Sequence, residues 1–130
     1  MSFQKFYIVE SKEDKLKESY KVWKKLINMS PKEIQSFLDS QDGKKAGLSR
    51  EEASKLGITS GRDSARAIIR MLKTPFEDWS TNEFKWMNKQ ISFIKRMLGN
   101  KGPLNDDKGK PTRKLLALKV WGHNPLKKSS

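Results

Sequence analysis

The chain of 130 residues contains no cysteine, a single histidine and no long apolar segment. Without cysteine it can form neither a disulfide nor a thiolate metal site. One histidine also excludes most metal centres and histidine-activated nucleophiles. A membrane span needs about 20 apolar residues, and the first fifteen residues lack the apolar run and the small-residue cleavage site of a signal peptide. We therefore predict a soluble, intracellular protein that is not an enzyme and uses no cofactor or metal.

The most distinctive property of the sequence is its positive charge. Lysine and arginine number 28 against 15 aspartates and glutamates, which gives a formal charge of +13. By segment, residues 1–29 carry +3, residues 30–57 carry zero, residues 58–98 carry +4 and residues 99–130 carry +6. A charge that is skewed toward one part of a chain favours a surface that faces a polyanion.

Aromatic content and helix-start signals indicate a folded, mainly α protein. Four tryptophans, six phenylalanines and two tyrosines are more than disordered chains usually carry. Serines that can cap a helix precede four apolar stripes with helical spacing: Ser30, Ser49, Ser60 and Ser80. We predict a small single-domain bundle of five to six helices over residues 13–125, preceded by an extended arm or short strand in residues 1–12 and followed by a mobile basic tail in residues 126–130.

The same signals predict the limits of the elements. A first helix is expected over residues 13–28, and a second is expected to begin after Ser30 and to end before a turn at Asp42-Gly43. The longest helix should run from Ser80 to about residue 98, because Gly99 can end it. Residues 99–111 are rich in glycine, proline and lysine and predict an exposed loop. Residues 115–121 fit a strand or a helix, and helix is favoured.

Two helices carry lines of basic side chains opposite their apolar stripes. The first line lies on the helix that begins near Ser60 and comprises Arg62, Arg66, Arg70 and Lys73. The second lies on the longest helix and comprises Lys85, Lys89 and Arg96. Phosphate contacts by lysine and arginine supply most sequence-independent affinity for nucleic acids. A solvated helix face would show the same pattern, but two lines in so basic a chain favour a binding surface.

The C-terminal segment adds further candidate phosphate ligands: Lys108, Lys110, Arg113 and Lys114. Trp121 and His123 follow them and could stack on a base. The favoured interpretation of this pair is structural, with Trp121 in the core and His123 bonded to the last carbonyls of a helix.

Three weaker motifs leave alternatives open. Residues 52–70 have the alanine and glycine spacing of a helix-turn-helix, but Asp63 and Arg66 stand where that motif requires apolar residues, so a looser helix pair is favoured. Residues 59–62 could bind a phosphate at a helix start, although ordinary capping explains Ser60 equally well. A minimal nuclease would need His123 together with Asp106 or Asp107 and is the least favoured of the three.

Three sequence runs resemble a group of short basic hypothetical proteins that bacteriophages and similar mobile elements encode. The runs are KKAGLSREEASKLGI, SGRDSARAIIRML and GPLNDDKGKPTRKLLALKVWGHNP. The resemblance extends over about three-quarters of the chain, from residue 30 to residue 125. It implies a viral or mobile-element origin and location in the host cytoplasm, near the nucleoid or in the virion, and it brings no catalytic residues.

From these observations we predict a nucleic-acid-binding protein of a phage-like element that acts mainly through phosphate contacts, with DNA favoured over RNA as its partner and no membrane involved. Two alternatives stay open. One is an inhibitor or adaptor that binds an acidic host protein, and the other is a structural protein of the virion.

Overall fold

Six α-helices and one 3-10 turn, without any strand, make up the part of the chain that a computed structural model describes, residues 2–45 and 61–127. We number the α-helices in chain order: α1 Ser2–Leu26, α2 Pro31–Asp39, α3 Gln41–Lys45, α4 Gly61–Leu72, α5 Thr81–Leu98 and α6 Arg113–Val120. The 3-10 turn is Phe76–Asp78 and joins α4 to α5. The predicted mainly α, single-domain bundle of five to six helices is thus confirmed.

Local capping explains where several helices begin. Ser30 accepts a hydrogen bond from the Glu33 N–H, and the Glu33 carboxylate accepts one from the Ser30 N–H, which is the reciprocal box expected at the start of α2. The N–H and the hydroxyl of Ser80 both donate to the Glu83 carboxylate at the start of α5. Thr112 accepts from the Leu115 N–H at the start of α6, so the favoured helical interpretation of residues 115–121 is confirmed.

Two elements differ from the sequence-based expectation. Residues 3–9, predicted as an arm or strand, belong to α1, which begins at Ser2. The predicted turn at Asp42-Gly43 lies inside α3 instead. The Ser40 hydroxyl accepts a hydrogen bond from the Gly43 N–H and so caps this short helix. Glycine is required at position 43, because its backbone lies close to the end of α2 and a Cβ there would be 1.7 Å from the Phe37 carbonyl oxygen.

Helices α1, α4 and α5 meet around a buried polar bridge in the core. The Trp23 indole donates to Gln90 Oε1 over 2.7 Å, and Gln90 Nε2 donates to Ser64 Oγ over 3.2 Å. The core also contains apolar side chains that are fully buried: Ile34, Ile68, Met71, Met87, Ile94 and Leu118. Because Gln90 points inward, the opposite side of α5 faces solvent, which positions the basic side chains described below.

The segment after α6 packs against the end of α1. Gly122 has φ +84°, and a Cβ there would lie 3.1 Å from Ile68 Cδ1, so glycine suits both the backbone and the space. Asn28 and Asn124 exchange two hydrogen bonds of 2.9 and 2.8 Å. Lys127 Nζ donates to the Asn28 carbonyl and to the Glu33 carboxylate. The first residues of the predicted mobile tail are therefore held by contacts, and residues 128–130 lie outside the described part.

Candidate polyanion-binding surface

Arg62, the first residue of the basic line on α4, is engaged by the protein itself. Its guanidinium donates to the Gly43 carbonyl over 2.8 Å and to the Leu38 carbonyl over 3.4 Å. Both carbonyls belong to the last turns of short helices, where the helix leaves its oxygens without internal partners. The Arg62 side chain thus ties α4 to α2 and α3, and its phosphate contact stays a prediction.

The remaining members of the α4 line are exposed but have acidic neighbours. Arg66 Nη1 lies 3.4 Å from Asp63 Oδ1, one turn earlier on the helix. At the other end of the line, the hydrogen bond from Ser80 lowers the pKa of Glu83, and the charge of Arg70 adds a smaller effect in the same direction. Lys73 is exposed and lines an open groove together with Lys32. Only part of this line is available to an external anion.

The α5 line has a different environment. Lys85, Lys89 and Arg96 are all exposed, and none of them forms an ion pair with a carboxylate in the described residues. The helix contains no acidic residue after Glu83. Because Met87, Gln90 and Ile94 hold the opposite side in the core, the three cations necessarily project outward together. We name Lys85, Lys89 and Arg96 the α5 basic face.

Two aromatic rings border the α5 basic face. Lys89 Nζ lies 5.5 Å from the centre of the Trp86 ring, and Arg96 Cζ lies 5.9 Å from the centre of the Phe93 ring. Both distances fall within the range of a cation–π contact. Neither ring is among the residues that the sequence predicts for the binding surface. The spacing of three residues between each ring and its cation on one helix was the signal that could have connected them.

Of the four C-terminal candidates, three have exposed side chains and one is hydrogen-bonded to the protein backbone. Lys108 and Lys110 are exposed in the loop before α6, where their backbone N–H groups donate to the Asp106 carboxylate. Arg113 is exposed as the first residue of α6. Lys114 instead donates to the Asn100 and Gly102 carbonyls, so it closes the loop between α5 and α6. The phosphate role of Lys114 stays a prediction beside this structural one.

The structural interpretation of Trp121 and His123 is confirmed. Trp121 is buried and stacks on Phe93 with ring centres 4.2 Å apart. His123 Nδ1 lies 2.6 Å from the Leu26 carbonyl at the end of α1, which fits a ring N–H that donates to this oxygen. The described residues contain no cluster of three or more histidine, aspartate or glutamate side chains that could hold a metal. The Trp121 ring is enclosed by the core.

The helix-turn-helix and the phosphate-binding helix start fall partly outside the described structure. Residues 46–60, which contain the predicted capping serines Ser49 and Ser60, are not among the described residues. At Gly61 the start of α4 is buried, and a Cβ there would lie 3.0 Å from Val120 and 3.2 Å from the Trp121 indole nitrogen. The first residue of α4 is thus covered by the segment around Trp121.

One carboxyl outside the basic surface has a strongly shifted pKa. The hydrogen bond from Lys127 and the capping bond from the Ser30 N–H lower the pKa of Glu33 from 4.5 to about 2. The same carboxylate therefore starts α2 and fixes the C-terminal segment. Among the described helices, none is long and apolar enough to cross a bilayer.

Comparison with known proteins identifies a family. The family model DUF3140, described as a protein of unknown function, matches residues 22–119, and the chain belongs to this family. The matched range contains all of α2 to α5 and therefore the whole α5 basic face. No curated protein and no solved structure matches the chain.

Proposed function

We propose that this member of the DUF3140 family is a non-enzymatic nucleic-acid-binding protein that contacts phosphates through the α5 basic face. The observation that carries the proposal is the exposure of Lys85, Lys89 and Arg96 on one side of a rigid helix, without acidic partners in the described structure. Cations that are not neutralised by the protein retain their full attraction for an external polyanion.

The charge of the surrounding chain supports the same surface. Residues 84–130 contain twelve basic residues and two acidic ones, so they carry +10 of the total charge of +13. Lys108, Lys110 and Arg113 are exposed in this part of the chain and can extend the contact beyond α5. We expect affinity to depend mainly on phosphate number, with little reading of base edges, and DNA to be the preferred partner in the cytoplasm of a host cell.

A salt titration tests this proposal. The affinity of the purified protein for a fluorescent DNA oligonucleotide is measured by anisotropy between about 50 and 200 mM salt, a range over which several phosphate contacts lower affinity by orders of magnitude. We expect a steep linear decrease of the logarithm of the association constant with the logarithm of salt concentration. Absence of binding at the lowest salt concentration would contradict the proposal.

The basic surface would also suit an acidic protein, which is the partner of the inhibitor or adaptor alternative. A pull-down from nuclease-treated lysate separates the two. Loss of all partners after nuclease treatment supports nucleic-acid binding, whereas retention of one acidic protein without nucleic acid supports the adaptor. The mobile-element origin and the virion role stay predictions, and mass spectrometry of purified particles tests the latter.

A further inference from the structure

Trp86 is the tryptophan that the core does not enclose. The exposed fractions of Trp23, Trp79 and Trp121 are 1%, 7% and 7%, so these three rings are buried. Trp86 is half-buried and packs against the edge of the core. A large ring that remains partly open on a charged surface has a face available for another flat group.

Lys89 lies over the open face of the Trp86 ring. Its ammonium lies 5.5 Å from the ring centre, and the lysine side chain is itself exposed. Solvent, and not the core, therefore borders this face of the ring. Lys89 can swing toward a phosphate because no carboxylate of the described residues holds it. A nucleobase could then take its place over the indole.

A duplex and a single strand differ in what they can offer to α5. Helix α5 contacts α1, α4 and α6, so one side of it remains exposed and can meet phosphates. In a duplex the bases are stacked on each other and cannot reach Trp86, whereas a single strand can present a base and its phosphates together.

We propose that the α5 basic face binds single-stranded nucleic acid, with a base stacked on Trp86 and the adjacent phosphates contacted by Lys85 and Lys89. The two lysines are separated by about 6 Å along the helix axis, and Trp86 lies between them in sequence. This inference rests on the proposed function and names its substrate class. The chemistry of base and phosphate is shared by DNA and RNA, so both are included in the test.

Fluorescence tests the stacking directly, because Trp86 is the accessible fluorophore among four tryptophans. Short oligo(dT), oligo(rU) and a DNA duplex of equal length are each titrated into the wild-type protein. We expect a single strand to quench tryptophan emission more than the duplex does, and the quenching to be lost in Trp86→Phe. The relative affinities of the two single strands show whether DNA or RNA is the source.

Affinity measurements complete the experiment. Removal of one stacking ring should weaken binding roughly fivefold or more, so Trp86→Leu should bind oligo(dT) at least that much more weakly. Trp86→Phe, which keeps a ring at the same place, should bind with nearly wild-type affinity. Thermal unfolding of both variants shows whether they fold. If Trp86→Leu does not fold, the quenching of the wild-type emission still shows whether a base stacks on Trp86.

Failure of the inference is distinguishable from failure of the proposed function. Equal affinity for duplex and single strand, together with unquenched emission, would overturn single-strand stacking. If Lys85, Lys89 and Arg96 still matter for binding in that case, the proposed function stands. If their replacement has no effect on either nucleic acid, the proposed function fails as well.

Discussion

Helices α4 and α5 carry basic side chains at similar helical spacing, but their surroundings differ. On α4, Arg62 donates to two backbone carbonyls and Arg66 lies beside Asp63. On α5, no acidic residue follows Glu83, and the cations project into solvent. The comparison shows that a line of positive charge indicates only which residues avoid the core. Nearby acceptors engage Arg62 and Arg66 on α4, and we propose that the α5 cations, which have no carboxylate partner in the described structure, serve an external ligand.

Replacement of the α5 basic face should have the largest effect on binding. In the variant with Lys85→Gln, Lys89→Gln and Arg96→Gln, three phosphate contacts are removed, so affinity at about 0.1 M salt should decrease roughly a hundredfold and the salt slope should decrease by about two. Anisotropy titrations with a DNA oligonucleotide at several salt concentrations measure both quantities. An unchanged slope would mean that phosphates bind elsewhere.

The variant Arg62→Gln should lose stability and keep its affinity for DNA. Loss of the guanidinium leaves two partly buried carbonyls without their donor, so the free energy of unfolding should decrease by about 1–3 kcal/mol. Urea denaturation followed by circular dichroism measures this decrease. Affinity of the folded variant for DNA should stay within twofold of the wild type, and a large loss of affinity with unchanged stability would restore Arg62 to the binding surface.

A smaller effect is expected for the exposed part of the α4 line. Because Asp63 and Glu83 already offset part of its charge, Arg66→Gln with Arg70→Gln should weaken binding only about two- to threefold, as is typical of screened charges at the edge of a contact. The same anisotropy titration provides the measurement. If this pair weakens binding as much as the α5 variant does, the difference between the two helices is not functional.

The smallest effect concerns acid stability. The pKa of Glu33 is lowered to about 2 in the folded protein, below its ordinary value of 4.5. Its contribution to stability is therefore present above pH 4.5 and is lost as pH decreases toward 2. Glu33→Gln should flatten the dependence of the unfolding free energy on pH in this window. Glu18→Gln, which removes an exposed carboxylate that pairs with Lys21, is the matched control for the loss of one negative charge.

Most helices could be predicted because their start signals are local. Ser30 with Glu33, and Ser80 with Glu83, mark α2 and α5 within four residues of sequence. The cap of α3 at Ser40 is equally local but was hidden by the turn tendency of Asp42-Gly43. The helical course of residues 3–9 could not be read from a β-branched and aromatic run, whose local preference favours a strand.

The site was only partly predictable from the sequence, because some of its cations bond to acceptors that lie many residues away in the chain. Arg62 finds its acceptors 19 and 24 residues away, and Lys114 finds its acceptors 14 and 12 residues away. No local pattern shows such partners. The exposed position of Lys85, Lys89 and Arg96 followed from helical periodicity alone, and their neighbour Trp86 lies within the same turns. Sequence periodicity therefore predicted the exposed face of α5, but it could not show that Arg62 and Lys114 bond to backbone carbonyls.

A charge-matched comparison tests the central claim most directly. Lys17, Lys24 and Lys25 are exposed lysines of α1, so their joint replacement by glutamine lowers the net charge as much as the α5 variant does. DNA affinity of the two triple variants is measured side by side at one salt concentration. A loss of about a hundredfold for α5 and of only a fewfold for α1 is the expected result. Equal losses would show that net charge, and not the α5 basic face, determines binding.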